Sequence, residues 1–242
     1  MNPGGSQGVN GELDTNPKDR ARRSEEPRRA EHHLPASKSR AAWIVLALTT
    51  LLGLVTDLAS KEIAFRTIAG TPVSIDREAV ITTRNLGNLI PFHKPVAVVP
   101  NVLDFTLVLN PGAVFGIGAG KRWFFVLFTA IAVVFATGLF ARWTRARDRW
   151  AHVAIGLVIS GGLGNLYDRL LYACVRDFIH PLPGVKLPFG WSYPWGTGQA
   201  AREVWPYVSN LADLWLIIGI VILVVYTWKS GARADAERAA AG

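Results

Sequence analysis

Long apolar runs alternate along this chain with polar, loop-forming stretches, and the runs exceed what the strands or core helices of a water-soluble domain need. Four of them, Ala41–Ser60, Trp123–Ala141, Trp150–Tyr167 and Leu211–Trp228, hold about 17 or more residues, the length at which a helix crosses a bilayer. The pattern predicts a polytopic membrane protein, all-α in the membrane with a small β part outside it. The first run follows Lys38 and Arg40 and has the look of a secretory leader. Its basic lead-in is long, however, and its apolar part passes about fifteen residues, so it predicts a retained helix.

The polar stretches differ among themselves. Residues 1–40 are charged and proline-bearing with almost no large apolar side chain, a composition too poor in burial to fold, and they predict a disordered tail. Residues 62–122 contain no helix-length run but include the β-rich segments Val96–Val99 and Asp104–Leu109, which predict a small sheet. The stretch Pro181–Pro206 is crowded with Pro, Gly and Trp and predicts a folded, irregular lid. LeuGlyAsnLeu occurs at 86–89 and again at 163–166 and is read as chance, since no repeat period accompanies it. The expected organisation is a tail (1–40), a four-helix membrane domain (41–228, with loops 62–122 and 170–210 on one side), and a second tail (229–242).

Charge gives this topology a direction. The sequence carries 26 Lys and Arg against 18 Asp and Glu, a formal charge of +8, yet only 18% of its residues are charged and half are hydrophobic. Soluble domains carry about a quarter charged residues, so the surplus of positive charge speaks of loops and lipid before nucleic acid. Arg142, Arg145, Arg147 and Arg149 crowd the loop between the second and third runs, and Lys229, Arg233 and Arg238 follow the fourth. Basic flanks stay on the cytoplasmic side, which puts both termini inside and loops 62–122 and 170–210 outside. Cys174 stands alone, which excludes an intrachain disulfide framework, a four-thiolate zinc site and an iron–sulfur cluster. Five histidines without HExxH argue against a zinc peptidase.

Polar residues inside or beside apolar runs are costly, an acid at a helix centre by about 2.5 to 3.5 kcal/mol, so the clusters that occur need a reason. They are Asp57 with Ser60 and Lys61; Asn110, Gly112, Ala113, Phe115 and Gly116; Asn165 with Asp168 and Arg169; Asp177 with Phe178; and Asn210 with Asp213. Counting helix rise from the cytoplasmic ends brings all five to the outer side. Each cluster also has a structural reading. Asp57 and Lys61 form a favourable i, i+4 pair, Asn165, Asp168 and Arg169 share a face suited to interhelical bonding, Asn210 and Asp213 fit an N-cap with its third residue, and Asp177 is within reach of Arg176 or Arg169. No GxSxG is present, and Ser60 beside Lys61 cannot share a helix face, which disfavours serine chemistry. A pair of acids remains: two carboxylates held close share one proton, and the pair can then activate water and protonate a leaving amide without metal or cofactor.

The motifs AspLeuAlaSerLys (57–61), AsnProGlyAlaValPheGly (110–116), GlyGlyLeuGlyAsnLeuTyrAspArgLeu (161–170), ValArgAspPhe (175–178) and AsnLeuAlaAsp (210–213), in this order, resemble lipoprotein signal peptidase (signal peptidase II), a family of membrane aspartyl peptidases. The resemblance implies four transmembrane helices with an extracytoplasmic β cradle, in the inner (plasma) membrane of a bacterium. It implies cleavage of prolipoproteins before a diacylglyceryl-modified cysteine, with Asp177 and Asp213 catalytic and Asp57, Lys61, Asn110, Gly112, Asn165, Arg169 and Asn210 shaping or binding at the site. No metal or other cofactor is implied. The expected partners are lipid-modified prolipoproteins and membrane lipids, with no nucleic acid, and the protein is expected to act as a monomer. Its tail, its first outer loop and the 181–206 insert are longer than the family pattern, and Ser209 stands where an aromatic residue usually precedes the asparagine.

Two other classes compete with a peptidase. A proton-conducting or transport protein would place polar groups through the membrane depth and often shows an inverted repeat, and neither pattern is present. A lipoprotein-binding scaffold would keep a groove without requiring two acids.

Overall fold

The computed structural model describes residues 34–112, 122–194, 198 and 200–241; residues 1–33 of the expected tail, Ala113, Phe115 and Gly116 of the second motif, and Trp195 of the insert lie outside them. Four long helices, α1 (Arg40–Thr67), α2 (Arg122–Trp143), α3 (Arg149–Leu171) and α4 (Leu211–Ala241), match the four apolar runs, and a small sheet lies between them in the chain. Among the described residues three helices, α1, α2 and Leu211–Ala232 of α4, are long and apolar enough to cross a membrane. At about 1.5 Å per residue, the 22 residues of α2 extend roughly 33 Å, the thickness of a bilayer's hydrocarbon core.

The third run behaves differently because of where it sits. Helix α3 packs against α1, α2 and α4, and its buried residues include Gly156, Ser160, Gly161, Gly164, Asn165 and Asp168. A helix covered by protein does not need a lipid-compatible surface; it needs small residues that let neighbours close in. Gly161 lies against the backbone of Ala212 in α4, and Gly164 against the carboxylate of Asp57 in α1; a β-carbon at either position would collide with those atoms. Close packing at Gly164 is what lets a charged α1 residue lie against α3.

Helix α1 runs seven residues past the predicted end of the first span, to Thr67. The extension exists because Ala64 and Phe65 bury themselves in a cluster with Val80, Leu107, Leu109, Cys174 and Phe178, the core beneath the sheet. That sheet has three antiparallel strands in the order β1 (Val96–Val99), β2 (Leu103–Asn110) and β3 (Val175–Pro181). The first two coincide with the predicted β-rich segments. The register pairs Val108 with Asp177 and Asn110 with Val175, so β2 carries Asn110 to the point where β3 leaves α3.

At the opposite end of the bundle, residues 34–39 ahead of α1 pack against the α2–α3 loop. Ala36 is fully buried, its N–H donates to the Thr144 carbonyl at 2.9 Å, and the Ala146 N–H donates to the Leu34 carbonyl at 2.9 Å, tying the chain before α1 to the α2–α3 loop. Ser39 caps α1 by accepting from the Ala42 N–H. The two LeuGlyAsnLeu segments share no structure: one is a short 3-10 turn, the other lies inside α3.

Candidate active site

The described members of the five polar clusters meet at one end of the bundle, where α1, α3, the start of α4 and strands β2 and β3 converge. Asp57 and Lys61, one turn apart on α1, are both fully buried and bonded at 2.8 Å. The Lys61 ammonium also lies 3.3 Å from Asp168 and donates to Asn165 Oδ1 at 3.2 Å, both on α3. The other oxygen of Asp57 accepts the N–H of Ala212, an otherwise unpaired donor in the first turn of α4. The i, i+4 pair expected from sequence is thus real, and it also joins three helices.

Asp177 is placed by β3. Its side chain is 1% exposed, and its oxygens accept from the Asn110 amide at 3.0 Å and the Asn210 amide at 2.6 Å. Asn210 also donates to Asn165 Oδ1 at 3.2 Å, and Asn165 donates to Asp213 Oδ1 at 2.8 Å. A run of amides therefore links the two acids. Burial, and after it the charge of nearby Asp213, pushes the Asp177 carboxyl up to about 7, against the opposing pull of the two amides and Lys61. The backbone oxygen of Asn210 and its side chain both serve the first turn of α4, the side chain accepting from the Asp213 N–H at 3.1 Å. The cap predicted at Asn210 is present, while the Asp213 carboxylate turns to Asn165.

Closure of the site across the insert depends on Ser209. Its carbonyl accepts from the N–H groups of Phe178 and Ile179, and its own N–H donates to the Ile179 carbonyl at 2.8 Å. This pairing brings the end of the 181–206 insert back alongside β3, so residues 177 and 210 sit together although 33 positions apart. Arg169 frames the opposite rim: its guanidinium donates to the Gly112 carbonyl at 3.1 Å and lies 5.1 Å over the Phe125 ring. Gly112 in turn donates its N–H to Asn110 Oδ1 at 3.0 Å, closing the turn that presents Asn110.

Arg176 stands in the ValArgAspPhe motif only as a possible partner of Asp177, and Glu62 stands in none. Arg176 does not pair with Asp177; its backbone and guanidinium N–H groups make three bonds of 3.0 to 3.2 Å to Asp168, and a further one of 3.1 Å reaches Glu62 on α1. The signal was present in strand alternation, which turns adjacent side chains to opposite faces. Cys174 is fully buried and its thiol is pushed up to about 12 chiefly by that burial, as expected for an inert packing residue. Among the described residues no group of three His, Cys, Asp or Glu is arranged as a metal-ligand set.

The family model for signal peptidase (SPase) II matches residues 49–229. The chain belongs to the signal peptidase II family. Lipoprotein signal peptidases from two strains of Desulfitobacterium hafniense, DSM 10664 / DCB-2 and Y51, are each 33% identical over 153 residues, 63% of this chain and 84% of those proteins. Among solved structures, a bacterial membrane enzyme determined by the in meso method at 2.3 Å resolution superposes with TM-score 0.54 at 24% identity, covering 78% of this chain and 90% of that one. A second, determined by the same method at 1.9 Å, gives TM-score 0.50 at 26% identity, covering 75% and 91%. As a signal peptidase II the chain is a membrane protease of lipoprotein processing, which removes signal peptides from prolipoproteins.

Proposed function

We propose that Asp177 and Asp213 are the catalytic pair of this peptidase, and that it cuts just before a diacylglyceryl-modified cysteine at the extracytoplasmic face of a bacterial plasma membrane. The observation that carries the reading is the amide bridge. Asn110, Asn210 and Asn165 hold the two carboxylates at one end of the bundle, and with Asp177 raised to about 7 the pair can hold one shared proton near neutral pH. The ionised partner takes a proton from water as it attacks the scissile carbonyl, and the protonated one hydrogen-bonds that carbonyl and then supplies a proton to the leaving amine. Asp57, Lys61, Asn110, Gly112, Asn165, Arg169 and Asn210 hold this arrangement, with no metal or cofactor involved. The burial of α3 supports counting it as a fourth span; the same reading has both termini cytoplasmic, the sheet as the cradle for an extended substrate, and residues 41–228 as the peptidase domain of a monomer.

Purified protein with a diacylglyceryl-modified prolipoprotein tests the chemistry: cleavage persists in EDTA and is lost in Asp177→Asn and in Asp213→Asn. Turnover in either variant overturns the pair, and chelator sensitivity overturns the metal-free mechanism. For topology, a cysteine placed in the insert reacts with an impermeant maleimide from outside and one in the 142–149 loop does not; the reverse pattern overturns the orientation.

A further inference from the structure

The insert contains an unusual tip. Leu187 donates its N–H to the Arg202 carbonyl at 2.7 Å and Tyr193 donates to the Ala201 carbonyl at 2.8 Å, so both strands of the excursion are fastened to the returning segment. Lys186 and Glu203 form an antiparallel bridge just below. Residues 188–192 therefore project from a braced base. At their apex Phe189 has φ 57° and Gly190 φ 70°, and the Trp191 N–H donates to the Pro188 carbonyl. Paired positive φ values closed by such a bond belong to the tight turns in which Asn-Gly is the usual choice. Here a phenylalanine occupies the position, a left-handed conformation that a bulky residue rarely adopts.

That phenylalanine is not buried by its own protein. Phe189 is 90% exposed and Trp191 66% exposed, their ring centroids 6.2 Å apart in a tilted pair. A backbone conformation unfavourable for Phe that holds its ring away from the fold calls for a partner outside it. The chemistry around the tip narrows the choice. Lys186 and Arg202 are exposed at its base, and Glu203 beside them already lies 3.7 Å from His180. Aromatic rings above a pair of cations match the boundary between acyl chains and anionic headgroups. The base of the insert joins the sheet at Ser209, one residue before the cap of α4, and the exposed apolar surface of α4 (Leu214, Ile217, Ile220, Val221) begins there. The insert is thus rooted where the lipid-facing surface starts.

We propose that the 188–191 tip is a membrane anchor, with Phe189 and Trp191 inserted into the outer leaflet and Lys186 and Arg202 on its headgroups. This rests on the outer placement of the insert given above. It fixes one wall of the substrate entrance to the surface from which a lipidated substrate arrives.

Depth measurement tests it. Cys174 is buried and unreactive, so a cysteine introduced singly at Phe189, Trp191 or Arg202 takes a nitroxide label selectively. In the full-length protein reconstituted into nanodiscs of phosphatidylglycerol and phosphatidylethanolamine, oxygen should relax the labels at 189 and 191 severalfold more than a water-soluble nickel chelate does. The label at 202 should show the opposite order. Chelate-dominated relaxation at both 189 and 191 overturns the anchor. The same Arg202→Cys protein, treated in cells with an impermeant maleimide, tests the outer placement separately: labelling with aqueous tip positions refutes the anchor alone, whereas absence of labelling refutes the orientation on which it rests.

Discussion

Two acidic clusters lie side by side at one end of this bundle, and they are built on opposite electrostatic plans. In the first, Asp57 and Asp168 are matched by Lys61 and Arg176, all four buried, with bonds of 2.8 to 3.3 Å. In the second, the side-chain donors to Asp177 and Asp213 among the described residues are the neutral amides of Asn110, Asn210 and Asn165. A guanidinium or ammonium fixes a carboxylate's charge as well as its position; an amide fixes position and leaves the proton free to move. The cations nearest the second cluster are occupied elsewhere, Lys61 with the first cluster and Arg169 with the Gly112 carbonyl and the Phe125 ring. The first cluster is suited to joining helices and the second to sharing a proton.

The sharpest way to break that distinction is to exchange the roles. Asp177→Asn and Asp213→Asn preserve shape and remove the shared proton, so each should lower kcat by at least about 10²-fold to 10⁴-fold, the range general acid–base groups supply, without a large loss of unfolding temperature at any pH. Cleavage assays beside thermal unfolding in detergent check both parts. Lys61→Met should do the reverse in kind. It strands the buried Asp57 carboxylate while Asp168 keeps Arg176, and breaking a buried pair costs about 3 to 5 kcal/mol, which denaturant titration would register. A stable but inactive Lys61→Met would mean that the first cluster takes part in the chemistry and the contrast between the clusters is false.

The proton itself can be followed through pH. Asp177 is held at about 7 against an ordinary value of 3.8, so its protonated form, which the mechanism needs, is lost as pH rises through 7. Once the pair is fully ionised, kcat/KM should fall about tenfold per pH unit. Stability follows the same sign. The folded state binds this proton more tightly than the unfolded chain, so its contribution is whole below about 3.8 and declines as pH climbs to about 7. Asp177→Asn should therefore raise the unfolding temperature at pH 8 relative to wild type and not at pH 4. An equal change at both would show that Asp177 carries no displaced proton.

What could be read in advance follows the same division. Hydropathy located α1, α2 and α4 because their exposed surfaces are apolar, and it found α3 through its apolar remainder even though Gly161, Gly164, Asn165 and Asp168 adapt that helix to protein neighbours. The acids were visible because polar groups beside apolar runs are conspicuous. Strand β3 was not visible, since its seven residues gain their conformation from pairing with β2 and Ser209. The overrun of α1 to Thr67 depends on a core formed with residues over a hundred positions away, Cys174 and Phe178. The use of Arg176 was hidden for a related reason: adjacency in sequence suggested Asp177 as its partner, and strand geometry turned the two apart.

Arg176 yields the smallest expected effect and the finest test of the contrast. It follows Cys174 and Val175 into β3 and immediately precedes Asp177, and its bonds to Asp168 and Glu62 fasten the strand to α3 and α1 while its guanidinium lies 4.5 Å over the Tyr172 ring. Lysine at this position keeps the charge but offers no planar fork, so Asp168 retains one bond in place of several. If the first cluster serves to position the second, Arg176→Lys should lose roughly 1 kcal/mol of fit, about fivefold in kcat, with KM and the pH of the descending limb nearly unchanged. Glu62→Gln removes only a half-exposed partner and should stay within about twofold. A limb displaced by a full unit in Arg176→Lys would show instead that the guanidinium's charge reaches Asp177 directly, and that the two clusters form one electrostatic unit.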